Sequence, residues 1–348
     1  MTPSSPREMH LAAYAPAAGA GFSSYAHLAR TAERGLFDFL LVDEVLRLPE
    51  NENENENEGE NEREGEGAAG GPEPLTVLAA LAAVTDRLGL AAAAHTAFHE
   101  PYELARRLAT LDHLSAGRAA WHAVAPADPL AGANFRRGAH PDRAEGHPRA
   151  AEFLAAARAL WDSWTPDGTP RPVAHHGRHF SVEGEFTVER CPQGHPVVLH
   201  AGDSPEGLEL AAAEADIVLT PHTTLGAARA LYAEVKGRLG AHGRAHDALK
   251  VMPRVAVALD GTGARPARSA GQEPFTGSPD TVAALLTEYV TERAADGFVL
   301  VPPPAPGGLD DFVDRVVPLL QERGVLRRTY TGTTLRSHLR IAERVWKG

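Results

Sequence analysis

The chain has 348 residues, of which 43% are hydrophobic, enough to build a sizeable core in one large domain. Its formal net charge is −12, but Glu50–Glu66 alone contributes nine Glu against one Arg. The rest of the chain is therefore only mildly acidic. Because no basic stripe is present, this composition argues against a nucleic-acid-binding protein.

Cys191 is the only cysteine, so the sequence excludes an internal disulfide framework and fits a reducing compartment. The segment Met1–Ala20 lacks the charged start and long apolar run of a signal peptide. No apolar stretch approaches the roughly 18 residues that a membrane span requires. We expect a cytoplasmic protein that binds neither membrane nor nucleic acid.

Short β-rich runs alternate with longer alanine-rich stretches along the chain, which indicates parallel βα units. Eight strands are predicted: Met9–Ala15, Phe37–Asp43, Leu88–His95, Gly117–Ala125, Pro196–Gly202, Ile217–Thr220, Val251–Leu259 and Gly297–Val301. Eight helices are predicted: Tyr25–Arg34, Pro74–Thr85, Pro101–Leu114, Arg149–Trp164, Pro205–Glu214, Thr224–His242, Asp280–Ala295 and Leu309–Arg323. Ser204-Pro205 and Ser278-Pro279 are favourable helix starts, a capping residue followed by Pro.

Eight parallel strands can close into a (β/α)₈ TIM barrel or spread into a doubly wound sheet. No predicted strand–turn–helix unit carries the glycine fingerprint of a dinucleotide-binding sheet, so the pattern favours the barrel. We expect a single barrel domain over residues 1–348.

Three segments interrupt the alternation. Residues 50–71 form a low-complexity acidic loop after the second strand, which we expect to be disordered. The loop is interpreted as a tolerated surface insertion, with a lid as the alternative. Gly261–Gln272 is a Gly/Ala/Arg linker after the seventh strand. The basic segment Arg323–Gly348 is expected to pack on the outside of the barrel or at a subunit contact.

In a TIM barrel, the side chains that carry the chemistry lie at the carboxyl ends of the strands and in the loops that follow them. Candidates at such places are Tyr14, Asp43, His95, Thr96, Trp121, His122, His200, Asp203, Ser204, Thr220 and His222. Four imidazoles and a carboxylate at one mouth could serve proton transfer, anion binding or a metal. Since the chain has neither a His-x-His pair on the first strand nor a His-Glu-x-x-His helix, we predict no metal site.

The turn Gly202–Gly207 reads GDSPEG and leads from an apolar strand into a helix. Such a helix start offers backbone N–H groups and the Ser204 hydroxyl to a phosphate, although Asp203 would partly oppose it. An ordinary helix cap is the equal alternative. Asp43 ends a buried strand, where a carboxylate needs a partner, and it either serves function or holds a loop amide.

The segment Leu111–Trp121 reads LDHLSAGRAAW. It resembles the branch of luciferase-like flavin monooxygenases that includes nitrilotriacetate and dibenzothiophene-sulfone monooxygenases. Further blocks agree, in the same order along nearly the whole chain: Phe37–Phe39 with Asp43, Glu100–Tyr102, Leu160–Trp164, Pro192–Gly194, Ala201–Gly207, Phe275–Pro279, Asp296–Phe298 and Gly332–Arg336.

The resemblance implies a luciferase-like barrel enzyme that takes reduced FMN from a separate flavin reductase. With O₂ it would oxygenate a small organic molecule in a pocket that excludes bulk water. The resemblance also suggests a homodimer. It assigns cofactor binding to Asp43, Thr96, His122, Gly202, Asp203, Ser204 and Gly207.

The chain departs from the family where side chains face the flavin. The changed positions are Ala93, His95, His122, Ala125, Pro126 and His147, where hydroxyl or amide groups are lost or replaced by imidazoles. The family also has a long segment after the seventh strand. Here only Gly261–Gln272 fills its place, so this insertion is predicted to be short.

Two hypotheses remain open. In the first, the chain is an FMN-dependent monooxygenase whose imidazoles replace the lost hydrogen-bonding groups. In the second, it is a flavin-independent barrel that uses histidines with Asp43 for acid–base chemistry, or acts as a binding or subunit protein. His95 and His122 are the candidate catalytic residues, with loop hydrogen bonding as their alternative role.

Overall fold

The computed structural model describes residues 7–15, 21–46, 70–125, 129–135, 145–202, 204–221, 224–261, 274–303, 308–344 and 346. In these ranges the strands are β1 His10–Ala15, β2 Phe39–Val42, β3 Gly89–His95, β4 Ala119–Val124, β5 Pro172–His176, β6 Ser181–Glu185, β7 Val197–Ala201, β8 Ile217–Pro221, β9 Lys250–Leu259, β10 Phe275–Gly277 and β11 Gly297–Val301. The α-helices are α1 Phe22–Arg34, α2 Pro74–Ala82, α3 Pro101–Leu114, α4 Gly146–Trp161, α5 Pro205–Glu214, α6 Leu225–Arg238, α7 Pro279–Thr291, α8 Gly308–Arg315, α9 Val317–Glu322 and α10 Leu335–His338.

Eight parallel strands close into a barrel. Their order around it is β11, β1, β2, β3, β4, β7, β8 and β9, and β9 pairs again with β11. Helices lie between successive strands, as right-handed βα crossovers require. The closure confirms the (β/α)₈ barrel over the open sheet.

All eight predicted barrel strands are present, with ends that shift by one or two residues. Two features were not predicted: the antiparallel β5–β6 hairpin and the short β10, which pairs with β9. The Glu152 carboxylate accepts hydrogen bonds from the backbone of His179 and Phe180 and so holds the hairpin turn. This long-range contact leaves no local sequence signal.

The last predicted helix, Leu309–Arg323, is wrong as a single element. It divides into α8 and α9 around Val316. Pro318 lies in the first turn of α9, where its missing N–H costs no hydrogen bond. The same proline inside a continuous helix would remove one.

Side chains alternate between the barrel interior and the layer under the helices. On β4, Ala120 packs in the interior with Phe39 and Val197, whereas Trp121 packs outward against Phe153. Because the period of a strand is two residues, His122 shares the inner face with Ala120.

The carboxy-terminal segment closes the amino-terminal end of the barrel. Leu335, Leu339 and Ile341 join the interior core, and the Leu335 amide donates to the Gly117 carbonyl oxygen. The expectation that this segment packs on the outside of the barrel is therefore wrong for its buried part. The many arginines of this segment gave no indication that Leu335, Leu339 and Ile341 would fill the open end of the barrel.

Residues 50–69 of the acidic loop and residues 262–272 of the linker lie outside the described residues. In the described ranges, no helix combines the length and the apolar character needed to cross a bilayer.

Candidate functional site

Inward-facing positions bring polar side chains from several strands to the carboxyl-terminal mouth of the barrel. Tyr14 follows Ala12 on the inner face of β1, and His95 follows Ala91 on that of β3. His122 and Arg254 occupy the equivalent positions on β4 and β9. Strand alternation thus gathers hydroxyl, imidazole and guanidinium groups at one end of the barrel.

Asp43 follows β2 and is held on both carboxylate oxygens. The Tyr14 hydroxyl donates to Oδ2 at 2.6 Å, and the backbone N–H of Glu44 donates to Oδ1 at 3.0 Å. The Arg254 guanidinium lies 5.1 Å from the centre of the Tyr14 ring. Asp43 therefore has the partners that a carboxylate at a strand end requires, including the loop amide of its structural interpretation.

Glu44 lies beside Asp43 and joins two histidines, a group that sequence reasoning missed. Its Oε2 is 2.6 Å from Nδ1 of His95, and its Oε1 is 3.0 Å from Nε2 of His99. The backbone N–H of His95 also donates to Oε2, at 2.9 Å. Burial opposes ionisation of Glu44, but the hydrogen bonds from both rings outweigh it and lower its pKa to about 2. The Glu44 carboxylate is therefore ionised at neutral pH.

An aromatic pair stands next to this cluster. The rings of Phe98 and Phe135 stack at 4.4 Å, and the Phe98 ring lies 6.2 Å from that of His95. Asn134 donates to the Leu46 carbonyl oxygen and so ties the segment after β4 to the loop after β2. The mouth thus has an apolar wall beside the imidazoles.

His122 is the most isolated of the predicted site residues. Neither ring nitrogen is accessible to solvent, and neither has a hydrogen-bond partner within the described part of the chain. Burial, reinforced by nearby His200, His95 and Arg254, lowers its pKa to about 4 although Asp43 opposes the shift. The ring is neutral at pH 7, and its two buried nitrogens are suited to a ligand that supplies the missing partners.

The turn before α5 forms the predicted helix cap, and its role as a phosphate site stays a prediction. Ser204 caps α5 by accepting from the Gly207 N–H at 3.1 Å, so the cap is present. Gly202 has φ +153°, a conformation that favours glycine. A Cβ on Gly207 would lie 3.2 Å from Ser204 Oγ and 3.4 Å from His147 Nε2, so glycine keeps this helix start open. Asp203 lies outside the described residues.

His200 stands behind this turn rather than in the mouth. Val198, two residues earlier, packs outward, so His200 faces the helix layer, where its ring lies 5.9 Å from that of His147. Nδ1 is 3.2 Å from the Ala123 carbonyl oxygen, and Nε2 is buried without a partner among the described residues. Burial lowers the pKa of His200 to about 4. The prediction that all four imidazoles face one mouth is therefore wrong for His200, and His222 lies outside the described residues.

The remaining predicted residues serve the framework in this structure. Thr96 is buried, and its hydroxyl donates to the Val124 carbonyl oxygen at 3.3 Å. The Trp121 indole N–H donates to the Ala94 carbonyl oxygen at 3.2 Å. Thr220 is buried on β8 beside the inward-facing Leu219. Within the described ranges, no group of three or more His, Cys, Asp or Glu side chains is arranged to hold a metal ion.

Comparison with known proteins gives a consistent result. The family model described as luciferase-like monooxygenase matches residues 8–297. The chain is 32% identical to nitrilotriacetate monooxygenase component A of Aminobacter aminovorans, over 91% of this chain and 89% of that protein. It is 31% identical to dibenzothiophene-sulfone monooxygenase of Rhodococcus erythropolis, over 90% and 89% respectively.

A solved structure agrees with these sequence matches. EDTA monooxygenase from Chelativorans sp. BNC1 superposes with a TM-score of 0.84 at 26% identity, covering 97% of this chain and 99% of that one. Sequence and structure comparisons therefore converge on oxygen-incorporating, flavin-dependent oxidoreductases.

Proposed function

Because the chain belongs to the luciferase-like monooxygenase family, we propose that it is the oxygenating component of a two-component system. It binds reduced FMN delivered by a separate flavin reductase and oxygenates a small organic molecule with O₂. The name of the Aminobacter relative, component A, supports division of the work between proteins. We further propose that the chain works as a homodimer.

The main support for this proposal is the helix start around Ser204, which suits the FMN phosphate. The Ser204 hydroxyl lies at the start of α5, and glycine at 207 keeps it clear, because a Cβ there would come within 3.2 Å of that hydroxyl. A second group lies close by, because Nε2 of His200, which has no hydrogen-bond partner among the described residues, is 4.0 Å from the place of a Cβ on Gly202. A helix start with its positive dipole end is suited to an anion, and a neighbouring imidazole adds to this once it is protonated.

The isoalloxazine ring is proposed to lie in the mouth between Asp43 and His122. When bound, reduced flavin supplies the two electrons with which one atom of O₂ becomes water while the other enters the substrate. The residues bind and orient: Asp43 and Tyr14 form a fixed pair, and His122 offers two nitrogens that have no partner within the described part of the chain. His95 and His122 are the proposed acid–base residues.

Flavin-independent acid–base chemistry remains the alternative. The Glu44–His95–His99 cluster is the observation that favours it, since these three side chains hydrogen-bond to one another without a cofactor. Family membership weighs against it. Failure of both oxidised and reduced FMN to bind would reverse that judgement.

The phosphate assignment is tested by Ser204→Ala, with Ser278→Ala as the matched control. Ser278 caps α7 through the same Ser-Pro arrangement, accepting from Thr281 N–H at 3.1 Å. Each variant is expected to lose about 1 kcal/mol of helix stabilisation. Ser204→Ala alone is expected to weaken FMN binding about tenfold, the equivalent of about 1.4 kcal/mol. The readout is quenching of flavin fluorescence, with riboflavin, which lacks the phosphate, titrated in parallel.

Undiminished FMN affinity in Ser204→Ala would remove this residue from the phosphate site. Equal weakening for FMN and riboflavin would point instead to a general disturbance of the barrel mouth. Either result leaves the family membership in place and removes the support for Ser204 as a phosphate ligand.

A further inference from the structure

The Glu44–His95 pair has a geometry that determines which nitrogen of the imidazole carries the proton. We propose that Glu44 is a positioning residue: it holds His95 with Nδ1 protonated, so that Nε2 presents a lone pair to the mouth. That nitrogen then accepts a hydrogen bond or a proton from an N–H, O–H or acidic C–H group of the substrate. The inference deepens the proposed function and rests on it only for the identity of the ligand.

The hydrogen-bond donors fix the tautomer. An ionised carboxylate only accepts hydrogen bonds, so the ring nitrogen 2.6 Å from Glu44 Oε2 must be a donor. In a neutral imidazole the other nitrogen then carries the lone pair. Within the described residues, His95 Nε2 makes no hydrogen bond, and the His95 side chain keeps 14% exposure.

The Glu44 carboxylate is built to remain a fixed anchor. Its two oxygens receive three donors, two from His95 and one from His99, and its side chain is only 6% exposed. A carboxylate with this many donors stays ionised over the range in which imidazoles titrate, because its pKa is lowered to about 2. Glu44 therefore orients the ring and does not itself exchange protons at neutral pH.

The position of His95 directs this acceptor toward the ligand. His95 lies on the inner face of β3 and pairs with Val124 of the neighbouring β4, which also carries His122. Glu44 contacts His95 and joins it to His99, and His122 of β4 interacts with His95 electrostatically, while Asp43 after β2 and Arg254 of β9 act on His122. The orientation of His95 is thus fixed by Glu44, whereas the His122 ring has no hydrogen-bond partner among the residues that the structure describes.

The test is nitrogen NMR on flavin-free protein labelled with ¹⁵N-histidine, with His95 assigned from a His95→Gln variant. The wild-type ring is expected in the Nδ1–H form. In Glu44→Ala, loss of the acceptor is expected to shift His95 to the Nε2–H form that imidazoles favour in water. Glu44→Gln keeps an acceptor oxygen and is expected to restore the Nδ1–H form.

The matched control is Asp310→Asn. It alters a similar pair on the outer surface, where Asp310 Oδ2 lies 2.7 Å from His27 Nε2, and should leave the His95 signals unchanged. A wild-type His95 in the Nε2–H form would overturn the proposal, and this result does not depend on a Glu44 variant that folds. An unchanged tautomer in folded Glu44→Ala would overturn it equally.

A second measurement tests whether the lone pair faces the ligand. Diethyl pyrocarbonate acylates an accessible imidazole nitrogen that has a lone pair, and peptide mass spectrometry locates the label. Bound FMN is expected to remove most of the labelling of His95 but not that of exposed His27. Labelling of His95 unaffected by bound FMN would overturn the inference, whereas absence of FMN binding would defeat the proposed function and leave the tautomer result standing.

Discussion

The His200 ring connects a buried strand to the turn before α5. Nδ1 lies 3.2 Å from the Ala123 carbonyl oxygen and must donate to it, which leaves the lone pair on the buried Nε2. A phosphate placed at the turn would meet this lone pair, and such a contact is favourable only when the nitrogen carries a proton. Phosphate binding and protonation of His200 should therefore be coupled.

The sign of this coupling follows from burial. The pKa of His200 is lowered to about 4 in the free protein, so the ring is neutral at pH 7. A bound anion stabilises the charged ring and raises this pKa, so binding takes up as much as one proton and tightens as the pH falls from about 8 toward 6. Calorimetric FMN titrations in buffers of different ionisation enthalpy measure this uptake. Uptake in His200→Gln equal to that of the wild type would contradict the coupling, since the phosphate itself titrates identically in both.

For single residues, the sequence predicted which side chains lie at the mouth better than it predicted their contacts. Asp43, His95 and His122 were all predicted at the mouth, and the structure places them there. Glu44 was missed because its partners come from the end of β3 and the loop after it, and a carboxylate beside a strand end carries no local sign of them. The outward direction of His200 was also missed, although the alternation along Val197–Ala201 contains that information.

Among the structural elements, the amino-terminal end of the barrel, here called its floor, depends on buried ion pairs with the carboxy-terminal segment. Arg336 donates to both oxygens of Asp216 at 3.2 and 2.8 Å, and Val198 N–H donates to the same carboxylate at 3.0 Å. Burial opposes ionisation of Asp216, but Arg336 and Arg344 hold its pKa well below the usual range. A second buried pair joins Arg327 to Asp38 in front of β2.

Arg336→Met is expected to destabilise the protein by about 3–5 kcal/mol, because it removes from a buried carboxylate the cation that contacts both of its oxygens. Urea unfolding at pH 7 measures the loss. Arg340→Met is the control, since that side chain is 57% exposed where it meets Glu8, and it should be nearly neutral. A loss similar to that of the control would show that the floor does not depend on this pair.

The pH dependence of this difference has a definite direction. The folded-state pKa of Asp216 is depressed, so its contribution is present above the unfolded value of about 4 and declines as the pH falls below it. The stability gap between wild type and Arg336→Met should therefore narrow in acid. A gap that widens below pH 4 would contradict the assignment.

Elements formed by local interactions were easier to predict than elements formed by contacts between distant segments. Strands and helices with strong periodicity were predicted to within a few residues, and the caps at Ser204 and Ser278 are formed as expected. The β5–β6 hairpin, held by Glu152, depends on contacts between distant segments. So does the floor built by Leu335 and Arg336, for which local composition gives no signal.

At the scale of the whole molecule, the two ends of the barrel have different tasks. The amino-terminal end is sealed by apolar residues and by buried Asp–Arg pairs, which stabilise the fold. The carboxyl-terminal end collects imidazoles, two of which have low pKa values and nitrogens without hydrogen-bond partners in the described ranges. Stability and ligand binding are thus separated along the barrel axis, as in TIM barrels generally.

The central claim is that this mouth binds reduced FMN for oxygenation. Its most direct test is anaerobic calorimetric titration of the wild-type protein with reduced FMN, with riboflavin in its reduced form as the comparison. We expect saturable binding of one reduced FMN per chain, and weaker binding of reduced riboflavin, which lacks the phosphate. Absence of binding at concentrations on the order of tens of micromolar would contradict it.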